Sequence, residues 1–198
     1  MFAVYINETT LYMKAFKAIL ALFIIAGVYT GCASDNKTSS TIAVDKTSPP
    51  MIVGKFKDST ITMATLIAPK LNKDGTACLD SNCMAYIKFS DTNIHPIPVK
   101  HCIGGKLENL GDLNGDGKDE IGLLPEWFTS CWRDYLVYTY KNNEWINAVP
   151  PIPTHCNQWE ANIKPIVKDS LNKGYVVIHY SEFDDKNIVT KSKIIAIK

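Results

Sequence analysis

The chain has 198 residues, 46% of them hydrophobic and 21% charged, with a formal net charge of +1. That balance supplies the apolar surface for a core, so it excludes global disorder, and it excludes a protein that binds nucleic acid by neutralising phosphates. Six cysteines are many for a cytosolic protein of this size.

The first element is the apolar run 18–29 (AILALFIIAGVY), preceded by Lys14 and Lys17. A bilayer span needs about 20 apolar residues. The run is shorter, which predicts an export signal with a charged n-region and a short h-region, and makes Met13 the more natural start of translation. Residues 33–50 (ASDNKTSSTIAVDKTSPP) are small and polar and end in two prolines, as expected of a flexible tether.

From residue 51 onward, period-2 runs rich in β-branched and aromatic residues recur at 61–67, 84–89, 134–140, 175–180 and 188–197. Clusters of Asn, Asp, Gly and Pro separate them, and no stretch of a dozen residues keeps a 3.6-residue period, so 51–198 is predicted to be an all-β domain. The runs also repeat. Residues 83–89 match 131–138 with one insertion, and each is followed by a Pro-rich stretch (95–98, 150–153) and a His-Cys pair, His101-Cys102 or His155-Cys156. Lys57-Asp58-Ser59 leads into 63–67, Lys168-Asp169-Ser170 leads into 175–178, and between them an expanded loop leads into 121–124. This ordered series predicts three degenerate repeats of about 45 to 55 residues. Three are fewer than the four to eight blades that close a propeller, so the expected architecture is an open, propeller-like array or a compact sandwich.

The middle loop, GDLNGDGKDEI at 111–121, carries the sharpest chemical signal. Asp112, Asn114 and Asp116 place oxygens at alternate positions, Gly115 and Gly117 permit a sharp turn, and Asp119 and Glu120 add carboxylates. A hard cation such as Ca²⁺ takes six to eight oxygens, and such a loop converges them. The predicted ligands are the side chains of Asp112, Asn114, Asp116 and Glu120 and the carbonyl of Lys118. The shortened outer loops are expected to hold no ion.

Two resemblances extend this reading. Tyr29-Thr30-Gly31-Cys32 resembles the lipobox of bacterial lipoproteins. It implies removal of residues 1–31, acylation of Cys32, a tether over 32–50 and, with Ala33 rather than Asp after the cysteine, an outer-membrane destination. Several acyl chains give stable anchoring where one would not. The calcium loop followed by an apolar strand, rather than by a helix, resembles the FG-GAP (integrin-α-like, VCBS-type) repeat, whose loop reads D-x-[DN]-x-D-G-x-x-D. That likeness implies a calcium-stabilised β-repeat, with Glu120 standing where the family has Asp.

If Cys32 is acylated, five cysteines remain, allowing two bridges and one free thiol in 15 arrangements. Repeat symmetry prefers Cys83–Cys102 with Cys131–Cys156; the local pair Cys78–Cys83 competes and would free Cys102. A zinc site from the two His-Cys pairs is disfavoured, because neighbours on a strand point to opposite faces. The aromatics around 127–145 are predicted to be mostly core. Trp127 and Phe128, just after Pro125, are the best placed to form an exposed protein- or glycan-binding platform.

The sequence contains no Gly-x-Ser-x-Gly elbow, phosphate-cradling glycine loop or His-Glu-x-x-His helix. The expected function is therefore a non-catalytic, lipid-anchored, calcium-stabilised envelope module that binds a protein or glycan. An envelope hydrolase or an enzyme accessory subunit is the alternative class.

Overall fold

A computed structural model of the chain describes residues 48–128 and 130–198. The apolar run, Cys32 and most of the tether lie outside the described residues. The described chain is all-β: β1 (Met51–Gly54), β2 (Thr62–Ile67), β3 (Met84–Phe89), β4 (Ile97–Lys100), β5 (Gly104–Asn109), β6 (Ile121–Glu126), β7 (Trp132–Lys141), β8 (Glu144–Asn147), β9 (Ile152–His155), a single helical turn and a half, α1 (Cys156–Glu160), then β10 (Ile166–Lys168), β11 (Tyr175–Asp184) and β12 (Asn187–Ala196).

These strands form three antiparallel sheets, none closed into a barrel. The first has the order β1-β2-β3-β4, the middle β5-β6-β7-β8 with β9 also paired to β7, and the third β10-β11-β12. The matched segments of the sequence fall at matched places. The runs at 63–67, 121–124 and 175–178 lie in the second strands of the three sheets, and 84–89 and 132–138 lie in the third strands of the first two.

Packing follows from how each strand's residues alternate. In the first sheet β2 alternates buried and exposed, with Ala64 and Leu66 turned inward and Met63 and Ile67 outward. The middle sheet is instead covered on both faces: along β7, Tyr135 and Val137 turn to one side and Leu136 and Tyr138 to the other. Ile121, Leu123 and Tyr138 join one core cluster with Leu66, Ile87 and Val99 of the first sheet. Tyr135 and Val137 join a second cluster with Ile166, Val176 and Ile178 of the third sheet. The described residues thus form three sheets with two apolar interfaces between them. At about 1.5–3 kcal/mol for each fully buried aliphatic side chain, these interfaces are the main favourable contribution to folding.

The joint between the first two sheets is also polar. The Asp119 carboxylate accepts the Lys55 N–H at 3.0 Å and the Asn109 amide at 3.0 Å, the Asp119 N–H donates to Lys55 O at 2.8 Å, and the Asn109 amide also donates to Val53 O at 2.8 Å. Asp119 therefore pins the exit of β1 to β5.

The cysteine pairing corrects one expectation. The bridges are Cys78–Cys83 and Cys131–Cys156, and Cys102 is a buried free thiol. The Cys131–Cys156 bridge was expected; Cys83–Cys102 does not form. Register is the reason. Met84 lies opposite Lys100 on the β3–β4 ladder, so continuing it outward brings Cys83 opposite His101, not Cys102. On the β7–β9 ladder Trp132 lies opposite His155, and the same step brings Cys131 opposite Cys156. Cys102, one residue further on, turns into the first core cluster, where its thiol donates to Gly104 O and burial raises its pKa.

Candidate functional site

The predicted calcium loop joins β5 to β6 and continues their ladder. Leu110 N–H donates to Glu120 O and Glu120 N–H to Gly111 O, so 111–120 is a closed loop on a rigid hairpin. Asp112 organises it. One carboxylate oxygen accepts the N–H groups of Gly115 (2.6 Å) and Asp116 (3.1 Å), and the other accepts Gly117 N–H at 3.0 Å. Three successive amides can face one carboxylate only if the chain coils tightly, and Gly115 and Gly117 do so at φ of 83° and 86°, where a Cβ is disfavoured.

The other predicted ligands sit around this turn. Asn114 Oδ1 accepts Asp116 N–H at 2.9 Å, and its amide donates to Lys198 O at 3.0 Å. Asp116 accepts Lys118 N–H on one oxygen and pairs with the Lys118 ammonium on the other, each at 2.9 Å. That ammonium also donates to Tyr140 O at 2.8 Å. Asp112 is half-buried and Asp116 is exposed.

Glu120 differs from them. It is fully buried, accepting Leu113 N–H at 2.7 Å on one oxygen and the Thr139 hydroxyl at 2.9 Å on the other. Burial and, to a smaller extent, the negative Asp116 nearby push its pKa up to about 7, against the lowering effect of those hydrogen bonds. A buried carboxylate served only by neutral donors, at the base of a loop lined with oxygens, is a donor set that suits a hard cation. Asp112, Asp116 and Glu120 do not form a group whose carboxylate oxygens all lie within 4.8 Å of one another.

The outer repeats place an aspartate at the same topological position, between first and second strands. Asp58 accepts Thr60 N–H at 2.7 Å, and Asp169 accepts Leu171 N–H at 2.8 Å and the Asn172 amide at 2.8 Å. Each lacks the further acidic ladder of 112–120.

Three contributors to the loop escaped the sequence reading: Thr139, the Lys118 ammonium as a partner of Asp116, and Lys168, whose ammonium donates to Asp112 O at 2.6 Å. Thr139 and Lys168 come from distant strands, and no local spacing announces them. Next to the loop a cavity of about 450 Å³ separates 108–113 from 164–168, with the buried Tyr135 hydroxyl donating to Glu108 at 2.7 Å on its wall.

Trp127 and Phe128 are both half-buried. Their rings meet edge-on at 4.8 Å, and Trp127 lies against His101 at 5.3 Å, so the two pack on each other as well as facing solvent. The tightest grouping of metal-ligating side chains among the described residues is Cys131, His155 and Cys156, but these cysteines are bonded to each other. His155 serves as the N-cap of α1, accepting Asn157 N–H at 3.2 Å. Among the described residues no helix is long and apolar enough to cross a membrane. Compared with known proteins, the chain matches no family model, no curated protein and no solved structure.

Proposed function

We propose that this protein is a non-catalytic, calcium-stabilised β-repeat module, anchored through acylated Cys32 to the bacterial outer membrane, where it binds an envelope protein or glycan. The observation that carries the calcium part is the pairing of a carboxylate-organised loop with the buried Glu120 at its base, which accepts from the Leu113 N–H and the Thr139 hydroxyl. In this reading Asp112, Asn114, Asp116, Glu120 and the Lys118 carbonyl hold the ion. Calcium supplies the charge that keeps Glu120 ionised and fixes the β5–β6 hairpin between its neighbours. The FG-GAP resemblance of the loop supports the same assignment, and the lipobox resemblance at 29–32 supports the anchor. Trp127 and Phe128 are the proposed partner-binding aromatics.

Thermal unfolding in calcium and in chelator tests the reading. An ion that binds only the folded chain stabilises it by about 2.7 kcal/mol at a hundredfold excess over Kd. Extracellular loops often bind at about 10⁻⁴–10⁻³ M, so the titration extends to about 10 mM. The expected result is a rise in Tm that Asp112→Ala and Asp116→Ala remove. No rise at that concentration contradicts it. For the anchor, Cys32→Ser is expected to abolish palmitate labelling and release the protein from membranes; unchanged labelling contradicts it.

A further inference from the structure

The two His-Cys pairs end differently, and one of them brings three metal-ligating side chains together. Cys131, His155 and Cys156 hold two sulfurs and a ring nitrogen within 4.8 Å of one another, the sulfurs being bonded in the oxidised chain. Alternation along a strand would send His155 and Cys156 to opposite faces. It does not do so here, because β9 ends at His155 and the chain turns into α1 at Cys156. Both ring nitrogens of His155 therefore stand 3.7 Å from Cys156 Sγ. Cys131 reaches the same point from β7, through the register that sets Trp132 opposite His155. The grouping is covered on one side and open on the other. His155 is buried against the Trp132 ring at 4.9 Å, whereas Cys131 is exposed and Cys156 half-buried. His101-Cys102 forms no such group, since Cys102 lies in the first core cluster.

We infer that the Cys131–Cys156 bridge is the closed form of a Cys₂His metal site, which a dithiol reductant opens to a thiophilic divalent cation, Zn²⁺ foremost. The reduction balances. Two electrons and two protons from the dithiol turn the bridge into two thiols, and the dithiol becomes a disulfide. Attack on the exposed Cys131 sulfur expels Cys156 as the thiolate, beside the imidazole. Metal binding then releases both thiol protons to solvent, leaving two thiolates, a neutral imidazole and a fourth position for water. On a tetrahedral zinc with bonds of about 2.3 Å to sulfur and 2.0 Å to nitrogen, the two ligand atoms lie about 3.5 Å apart. The observed 3.7 Å is close to that. Two sulfurs on such a zinc lie about 3.8 Å apart, a separation that breaking the bond allows. His155 Nδ1 accepts the Asn157 N–H, and ligation through either nitrogen ends that bond, because a neutral ring has one lone pair. One capping hydrogen bond is thus exchanged for three ligand bonds. The site is chemically distinct from the loop at 112–120, which offers hard oxygens where this one offers thiolates.

The test uses the full chain carrying Cys32→Ser, Cys78→Ser and Cys83→Ser, so that Cys102, Cys131 and Cys156 are the cysteines present. The probe is Co²⁺, whose visible bands and near-ultraviolet thiolate charge transfer report tetrahedral sulfur ligation. After reduction by dithiothreitol and anaerobic removal of the reagent, one Co²⁺ per chain is expected to bind with those bands, and Zn²⁺ to displace it. The oxidised protein should show no such bands, and His155→Ala should weaken binding about tenfold or more. Equal binding by His155→Ala overturns the inference, by reducing the site to a chance pair of thiols. So does displacement of the ion by Ca²⁺, which would assign it to the oxygen loop. A bridge that dithiothreitol cuts only in urea overturns it as well, by making the bond purely structural. Near-ultraviolet circular dichroism follows the fold of the reduced chain. Absence of the bands in a folded reduced chain, or a chain unfolded by reduction that excess Zn²⁺ does not refold, also overturns it, because a cation held by the folded state restores that state.

Discussion

The first and middle sheets begin from nearly the same sequence pattern and end differently, at their loops and at their cysteines. Between β1 and β2 a short turn rests on Asp58 and a single N–H; between β5 and β6 Asp112 gathers three, and a buried Glu120 closes the loop. After β4 the His-Cys pair follows one residue later in register than after β9, so Cys102 enters the core while Cys156 meets Cys131. Small insertions thus decide whether a repeated motif becomes a bridge, a buried thiol, a plain turn or a candidate ion site. Strand period 2 makes a one-residue shift equivalent to changing faces.

The largest expected effect sharpens the cysteine half of this contrast. Cys131 and Cys156 close a separation of 25 residues, and Cys78 and Cys83 one of 5. Loop-closure entropy then predicts a loss of about 3.5 kcal/mol for the double serine variant of the first pair and about 2 kcal/mol for the second. Urea unfolding of both variants measures the difference. Peptide mapping of the unreduced protein that linked Cys83 to Cys102 would break the register argument outright.

Next in size is the pH dependence that Glu120 confers in calcium-free buffer. Its folded pKa of about 7 lies above the ordinary 4.5, so between those values the folded chain binds more protons than the unfolded one. Stability contributed by the neutral carboxyl is full below about pH 4.5 and is lost as pH rises to 7, by about 3 kcal/mol. Asp58, Asp169 and Glu108, whose pKa values are lowered, act in the opposite direction, so the readout is wild type against Glu120→Gln. The variant should lack this fall, and calcium should abolish it in wild type. Identical pH profiles for the two proteins would contradict the burial argument.

The smallest effects belong to the outer turns. Asp58→Ala and Asp169→Ala should each lower Tm by less than either change above, and should leave the calcium response of the protein intact. Loss of that response in either variant would erase the distinction between middle and outer loops.

Much of this was legible in the sequence, for identifiable reasons. Strand positions announced themselves through period 2 in the half-covered first sheet, and the matched second and third strands were found because repeated segments keep their order. Asp112, Gly115 and Gly117 were legible because a tight turn is a local matter of spacing. Register was not: Cys83 and Cys102 look equivalent to Cys131 and Cys156 until the ladders fix which residue stands opposite which. Neither was Asp119, read only as one more loop carboxylate, since its partners Lys55 and Asn109 come from other strands. The partial cover of Trp127 by His101 depends on the same long-range packing.

The central claim is that the middle loop alone holds an ion, and the number of calcium ions bound per chain tests it most directly. Isothermal titration of chelator-stripped protein should give one site in wild type, Asp58→Ala and Asp169→Ala, and none in Asp112→Ala or Asp116→Ala. No binding by wild type at about 10 mM calcium, above the range expected for extracellular loops, or one site retained in Asp112→Ala, would reduce 112–120 to a polar turn.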